Sequence, residues 1–268
     1  MTNAIAPDAT GLWRRQILIQ ADGRRDTTTQ VLWLQTHHLF ADLRIPADRP
    51  DLRSARGLAD YDAADRLGLA AMKGFAGTFE IAGDLCRWNR EIDFQPADGP
   101  PDEARFRIDG DILIETGLHE AYEEVWQRET PSDAVHAGFR LSADASGQKG
   151  ILVVVGDHFI AAVDRRPPLP PAVSLAALLA APGGIERPDD LLGMPIAYGR
   201  IGRAGGSPWQ IELSTFPWLE GHSLIAGGLS FDPVRGVLDM NGFYGTWRWQ
   251  LTDTNHRGEL AAMLAATG

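Results

Sequence analysis

The stretch "RFRIDGDILIET", residues 105–116, decides the fold class of this chain. Two runs rich in Phe, Ile and Leu flank Asp109-Gly110, a dipeptide suited to a tight two-residue turn, so the segment reads as a β-hairpin. Short apolar or alternating runs of the same kind recur at 13–20, 30–36, 39–45, 75–81, 86–94, 121–128, 138–142, 151–155 and 159–163, cut by Gly, Asp and Pro turns. The short loops between them favour antiparallel neighbours. More such runs follow at 195–201, 209–213, 236–240 and 245–251. Helices are few. One spans 58–72 and is weakened by Gly68; another spans 174–181, between the proline-rich "RRPPLPPAV" and Pro182-Gly183-Gly184; a third closes the chain at 258–266. The expectation is a mainly β protein with peripheral helices in three parts: a barrel over 11–165, a proline-rich linker with a short helix over 166–194, and a β-rich part with the terminal helix over 195–268. The last part either completes the one barrel or forms a second, smaller barrel or sheet.

A chain of 268 residues with 44% apolar side chains can bury a sizeable core. Its 25 basic and 36 acidic residues give a net charge of -11, which repels nucleic acid and anionic membrane surfaces. The tightest basic clusters, Arg14-Arg15, Arg24-Arg25 and Arg165-Arg166, are two residues each and do not offset that field. The single cysteine, Cys86, excludes an internal disulfide and a multi-thiolate zinc site, and it fits a reducing, cytoplasmic location. The opening "MTNAIAPDAT" has no signal-peptide pattern, and no run is long enough to span a bilayer. No dinucleotide-binding, phosphate-loop or nucleophile-elbow motif is present, and the seven histidines show no metal-ligand spacing. No cofactor and no metal are therefore expected.

In "GLWRRQILIQADG", residues 11–23, Trp13 stands between a glycine and two arginines. A Gly-x-Trp at the first strand resembles the lipocalin and wider calycin pattern. Together with "VLWLQT", "ADLRIP", "GFAGTF", "CRWNREIDFQP" and "YEEVWQR", it resembles the uncharacterised lipocalin-like proteins of the fungal HRI family and their bacterial relatives, over residues 11–165. The resemblance implies an antiparallel calycin-like β-barrel and no activity. It also implies that Trp13 plugs one barrel end beneath a basic side chain, for which Arg248 is the candidate, in a four-residue echo where Gly245-Thr-Trp247-Arg248 repeats Gly11-Leu-Trp13-Arg14. In such a barrel a lone His38 or His158 could ligate haem, although a lone histidine is more often a surface or satisfied core group.

Alternation along strands then selects polar groups that share a face with apolar ones. In 86–94, Cys86, Trp88, Arg90, Ile92 and Phe94 form the inner face, and Arg87, Asn89, Glu91 and Asp93 the solvent face. In 121–128, Tyr122, Glu124, Trp126 and Arg128 share one face, which makes Glu124 the partner expected for Arg90. In 39–45, Leu39, Ala41, Leu43 and Ile45 form the obvious inward face, which would turn Asp42 outward; the alternative is that Asp42 and Arg44 lie under the 58–72 helix in a structural pairing across a neighbouring strand. Cys86 reads as an inert filler.

These residues support a small-molecule-binding barrel with a partly hydrophobic or aromatic ligand. Trp88, Tyr122 and Trp126 are its walls, and Arg90, Glu124 and Arg128 orient a polar group. The alternative is a cofactor-independent isomerase, lyase or hydratase with Glu124 as acid or base, Tyr122 as proton donor and Arg90 as clamp. A protein-interaction module is the third reading, and the sequence leaves the oligomeric state open.

Overall fold

A computed structural model describes residues 8–51, 54–96, 99–142, 147–182, 188–202, 208–242 and 245–267. In chain order the strands are β1 (Gly11–Gln20), β2 (Arg25–Asp26), β3 (Gln30–Gln35), β4 (Leu39–Ile45), β5 (Lys73–Ala82), β6 (Leu85–Asp93), β7 (Asp102–Asp109), β8 (Ile112–Gly117) and β9 (Tyr122–Arg128). Then come β10 (His136–Leu141), β11 (Gly150–Val155), β12 (His158–Val163), β13 (Ile196–Ile201), β14 (Trp209–Ser214), β15 (Ile225–Asp232), β16 (Val237–Gly242) and β17 (Gly245–Thr254). The helices are α1 (Ala63–Leu69), α2 (Leu175–Ala180), α3 (Pro188–Leu192) and α4 (Arg257–Ala265). Asp62 and Ser174 cap α1 and α2, each side chain accepting a backbone N–H three residues on. Gly183 and Gly184, read as the stop after α2, lie outside the described residues.

The fold is mainly β. Strands β1, β3, β4, β5, β6, β7, β8 and β9 form an antiparallel barrel closed by β1 against β9, with β2 added at the edge of β1. A second antiparallel sheet of eight strands has the order β14-β13-β12-β11-β10-β17-β16-β15. The barrel is shorter than its expected range. The strands between 136 and 163, read as barrel strands, pair with β13 and β17 in the second sheet instead. Strand β15 and the short α3 had no sequence signal: "IAGGLSFD" carries two glycines and little alternation.

Three apolar layers hold the two sheets. Leu12, Leu32, Leu34, Leu39, Leu43 and Ile45 on the outside of the barrel pack against Ile151, Val153, Ile160 and Ile196 of the second sheet. The far side of that sheet buries Phe139, Trp209, Trp247 and Trp249 against Leu260 and Leu264 of α4. The barrel lumen is filled by aromatic side chains. Strands with both faces covered show no polar alternation, which is why β11 and β12 read as continuous apolar runs.

The same double burial reverses the reading of β4. Its leucines and Ile45 are buried, but between the barrel and the second sheet, while Phe40, Asp42 and Arg44 point into the lumen. A second correction concerns β6. Gly77 pairs with Arg90 and Ala76 with Ile92, so Glu91 is an extra residue in the ladder, a β-bulge. Beyond it the faces exchange: Ile92 and Phe94 join the layer against the second sheet, and Asp93 turns to the side of Arg90.

Candidate functional site

The lumen is built from the Trp13 end upward. Trp13 and Trp33 are cross-strand partners on β1 and β3, with ring centroids 6.1 Å apart. Trp33 also meets Phe79 at 5.6 Å, Trp88 at 5.6 Å and Trp126 at 5.8 Å, so five rings from five strands close this end. Their indole donors are served locally: Trp13 Nε1 donates to Ala9 O at 2.8 Å and Trp33 Nε1 to Gln35 Oε1 at 3.1 Å. Arg128, opposite Trp13 on β9, lies with its guanidinium carbon 4.4 Å from that ring and donates to the carbonyls of Thr10 and Asp8. Gly11, at φ +140°, comes close to Arg128 and Thr130 where the strand enters the barrel.

Above the rings lies a layer of charge. Arg15 Nη1 donates to Glu124 Oε1 at 2.7 Å and Arg15 Nη2 to Asp26 Oδ2 at 2.6 Å. Asp42 accepts two bonds from Arg44, at 2.8 and 3.3 Å, and Arg44 Nη1 stands 3.6 Å from Glu124. Burial pushes the Asp42 carboxyl up against the opposing pull of Arg44. Asp26 is held well below the usual carboxylate range: burial raises it, but hydrogen bonds from Thr29 and Thr28 and the charge of Arg15 outweigh that. Glu115, directly across from Glu124, accepts from Tyr122 Oη at 2.7 Å and from Trp126 Nε1 at 3.1 Å. Burial and then the charge of Glu124 push Glu115 up to about 8. Burial and Glu115 together raise the Tyr122 phenol as well.

The open rim is where β5 begins, β6 ends and β7 begins. Arg90 donates to Asp102 at 2.7 and 2.9 Å and to Asp93 at 3.0 Å, with its guanidinium carbon 3.6 Å from the Phe75 centroid. The Arg44 guanidinium carbon lies 5.1 Å from the same centroid.

Trp88, Arg90, Tyr122, Glu124 and Trp126 thus face one lumen, but not in the expected pairing. Glu124 is bound by Arg15 and neighboured by Arg44, while Arg90 takes Asp102 and Asp93. Arg128 belongs to the Trp13 end rather than to a ligand wall. Arg248, expected over Trp13, lies on β17 in the second sheet and pairs with Asp239 at the surface. Among the described residues two shallow hollows lie elsewhere, one at the Trp13 end beside Asp8, Gln35 and His37 and one between Glu91, Arg140 and Lys149. His38 sits in the turn before β4, and His158 belongs to the second sheet with its Nδ1 2.8 Å from Tyr198 Oη, so neither histidine offers a haem ligand in the lumen.

Sequence reasoning missed Arg15, Asp42, Arg44, Glu115, Asp93 and Asp102. Alternation did carry a signal for Glu115, which shares a face with Leu113, as it did for Arg15, two residues after Trp13. Asp93 was hidden by the bulge and Asp42 by the double burial of β4.

No protein-family model matches the chain, and no curated protein matches it. A solved structure with a similar fold is the uncharacterised protein YLR301w from Saccharomyces cerevisiae, at a TM-score of 0.56 and 12% identity over 91% of this chain and 98% of that one. No helix among the described residues is long and apolar enough to cross a membrane.

Proposed function

We propose that the protein is a non-catalytic, small-molecule-binding barrel of the calycin type, akin to the fungal HRI proteins, that takes a partly hydrophobic or aromatic ligand at its rim. The observation that carries this reading is the Arg90 guanidinium 3.6 Å from the centre of the Phe75 ring, with its side chain 35% exposed. A planar ligand can stack on that guanidinium or displace it from the ring, and Asp93 and Asp102 stand beside it as acceptors. The packed rings below leave the ligand to the rim rather than the depth of the lumen. Trp13 buried under Arg128 in an eight-strand barrel supports the calycin placement. A cytoplasmic location belongs to the same reading and accords with the single buried thiol of Cys86.

A screen of aromatic carboxylates, aldehydes and short fatty acids by melting temperature and tryptophan fluorescence tests it. At least one class should raise the melting temperature, and Arg90→Ala should remove most of the rise. No response across the panel, or a response indifferent to Arg90→Ala, overturns it.

A catalytic reading has one observation in its favour, the Glu115 carboxyl pushed up to about 8 beside the Tyr122 hydroxyl. It ranks second because Glu115 is only 4% exposed, and because Glu124, the base first expected, is already bound by Arg15.

A further inference from the structure

Of the 25 basic residues only two are lysines, Lys73 and Lys149. Lys73 opens β5 as the direct cross-strand partner of Arg44, so its side chain leaves the strand on the lumen side, as does that of Phe75 two residues on. It is exposed at the rim. Three other cations of the lumen each hold a carboxylate: Arg15 has Glu124, Arg44 has Asp42 and Arg90 has Asp102. Lys73 forms no ion pair among the described residues.

Partial burial and then Arg44, Arg90 and Arg15 lower the pKa of its amine, against a smaller opposing pull from Asp93. Like charges facing one another across two strands disfavour the ammonium, and an amine beside other cations is the activated form of a lysine nucleophile.

We propose that Lys73 is a covalent capture site for a carbonyl-bearing ligand, an aldehyde or ketone whose apolar or aromatic body rests against Arg90 and Phe75. This rests on the reading of the rim as the ligand site and names the ligand's reactive group. The Nζ lone pair attacks the carbonyl carbon, and the oxygen takes the proton that nitrogen gives up, forming a carbinolamine. The hydroxyl then leaves with the second nitrogen proton as water, and a C=N bond remains. No oxidant or reductant is consumed, and hydrolysis restores the free amine and the carbonyl compound.

Lys149 is the internal control. It is also exposed, just before β11, and it shares its hollow with Glu91 and Arg140 rather than with Arg15, Arg44 and Arg90. The full chain is incubated near neutral pH with benzaldehyde and sodium cyanoborohydride, which reduces any imine to a stable benzylamine, and both lysines are mapped by mass spectrometry. Lys73 should gain the label several-fold faster than Lys149, because a lowered ammonium pKa leaves more of it as free amine near neutral pH. The preference should shrink in Arg90→Gln. Equal or slower labelling of Lys73, or a preference that Arg90→Gln leaves intact, overturns the inference. The Lys73→Arg variant separates the two readings. If the ligand panel stabilises both wild type and Lys73→Arg while Lys73 gains no preferential label, capture falls and the rim site stands. If no compound stabilises the wild type and neither lysine is favoured, both fall.

Discussion

Glu115 on β8 and Glu124 on β9 are direct cross-strand partners inside the barrel, 4% and 3% exposed. Two ionised carboxylates at that spacing and depth are costly, and the surroundings divide the charge between them. Glu124 has the guanidinium of Arg15 at 2.7 Å, whereas Glu115 meets the neutral donors of Tyr122 and Trp126. Glu115 is therefore the member that keeps a proton.

That division sets a pH dependence. The folded chain holds the Glu115 proton up to about 8, while the unfolded chain releases it near 4.5. Its contribution to stability is thus complete below 4.5 and declines as pH rises toward 8. Glu115→Gln, neutral at every pH, should melt above wild type at alkaline pH, with the gap closing as pH falls toward 4.5. The Tyr122 hydroxyl can accept from the new amide while Trp126 donates to its oxygen. Melting curves across pH check this, and a gap constant with pH would contradict it.

His158 works in the opposite direction. Burial and the charge of Arg200 depress it from 6.5 to about 4, with its Nδ1 2.8 Å from Tyr198 Oη. The stability it contributes is present above 6.5 and is lost as pH falls through about 4. His158→Gln should flatten the acid limb of the stability profile over that window. Urea midpoints measured across it would show the flattening.

Arg128 and Arg248 should differ sharply. Arg128→Ala removes the cation over Trp13 and the donors to Thr10 and Asp8, and should cost about 2 to 3 kcal/mol in urea unfolding. Arg248→Ala loses only a surface pair with Asp239 and should leave the urea midpoint where it is.

Gly77 is the residue that permits the β6 bulge. A Cβ there would stand 1.9 Å from Asn89 O, a backbone atom that cannot step aside without moving the strand. Gly77→Ala should destabilise the barrel by roughly 1 to 3 kcal/mol. It should also loosen the contact between Arg140 and Glu91, the bulged residue, which two bonds of 2.6 and 2.7 Å now join across the sheets. Hydrogen exchange on β6 and β10 would report that loosening.

Local chemistry accounts for how much of this was legible. The turn of the β7–β8 hairpin is Gly110-Asp111, one residue later than the Asp109-Gly110 pair, since Asp109 still pairs with Ile112; Gly110 sits at φ +60°, where a glycine adopts the left-handed region without strain. The caps at Asp62 and Ser174 follow equally local rules, although the first helix is only the seven residues of α1 after a separate turn at Leu58–Asp60. Part of the candidate site was visible for the same reason: Tyr122, Glu124 and Trp126 alternate without interruption along β9.

The sequence by itself determined most of the strands, most of their turns, the antiparallel class and the set of aromatic side chains that would have to be buried. Only the tertiary structure decided which buried face is the lumen. Alternation distinguishes the two faces of a strand, but β4 covers one with the lumen and the other with the second sheet, and both bury apolar groups. It also decided the partners. The closure of β1 on β9 brings Arg128 to Trp13 and Arg15 to Glu124 across more than a hundred residues of chain, and one extra residue in β6 turns Asp93 toward Arg90. Pairings set by barrel closure and bulges are properties of the register between distant strands, and no local pattern encodes them.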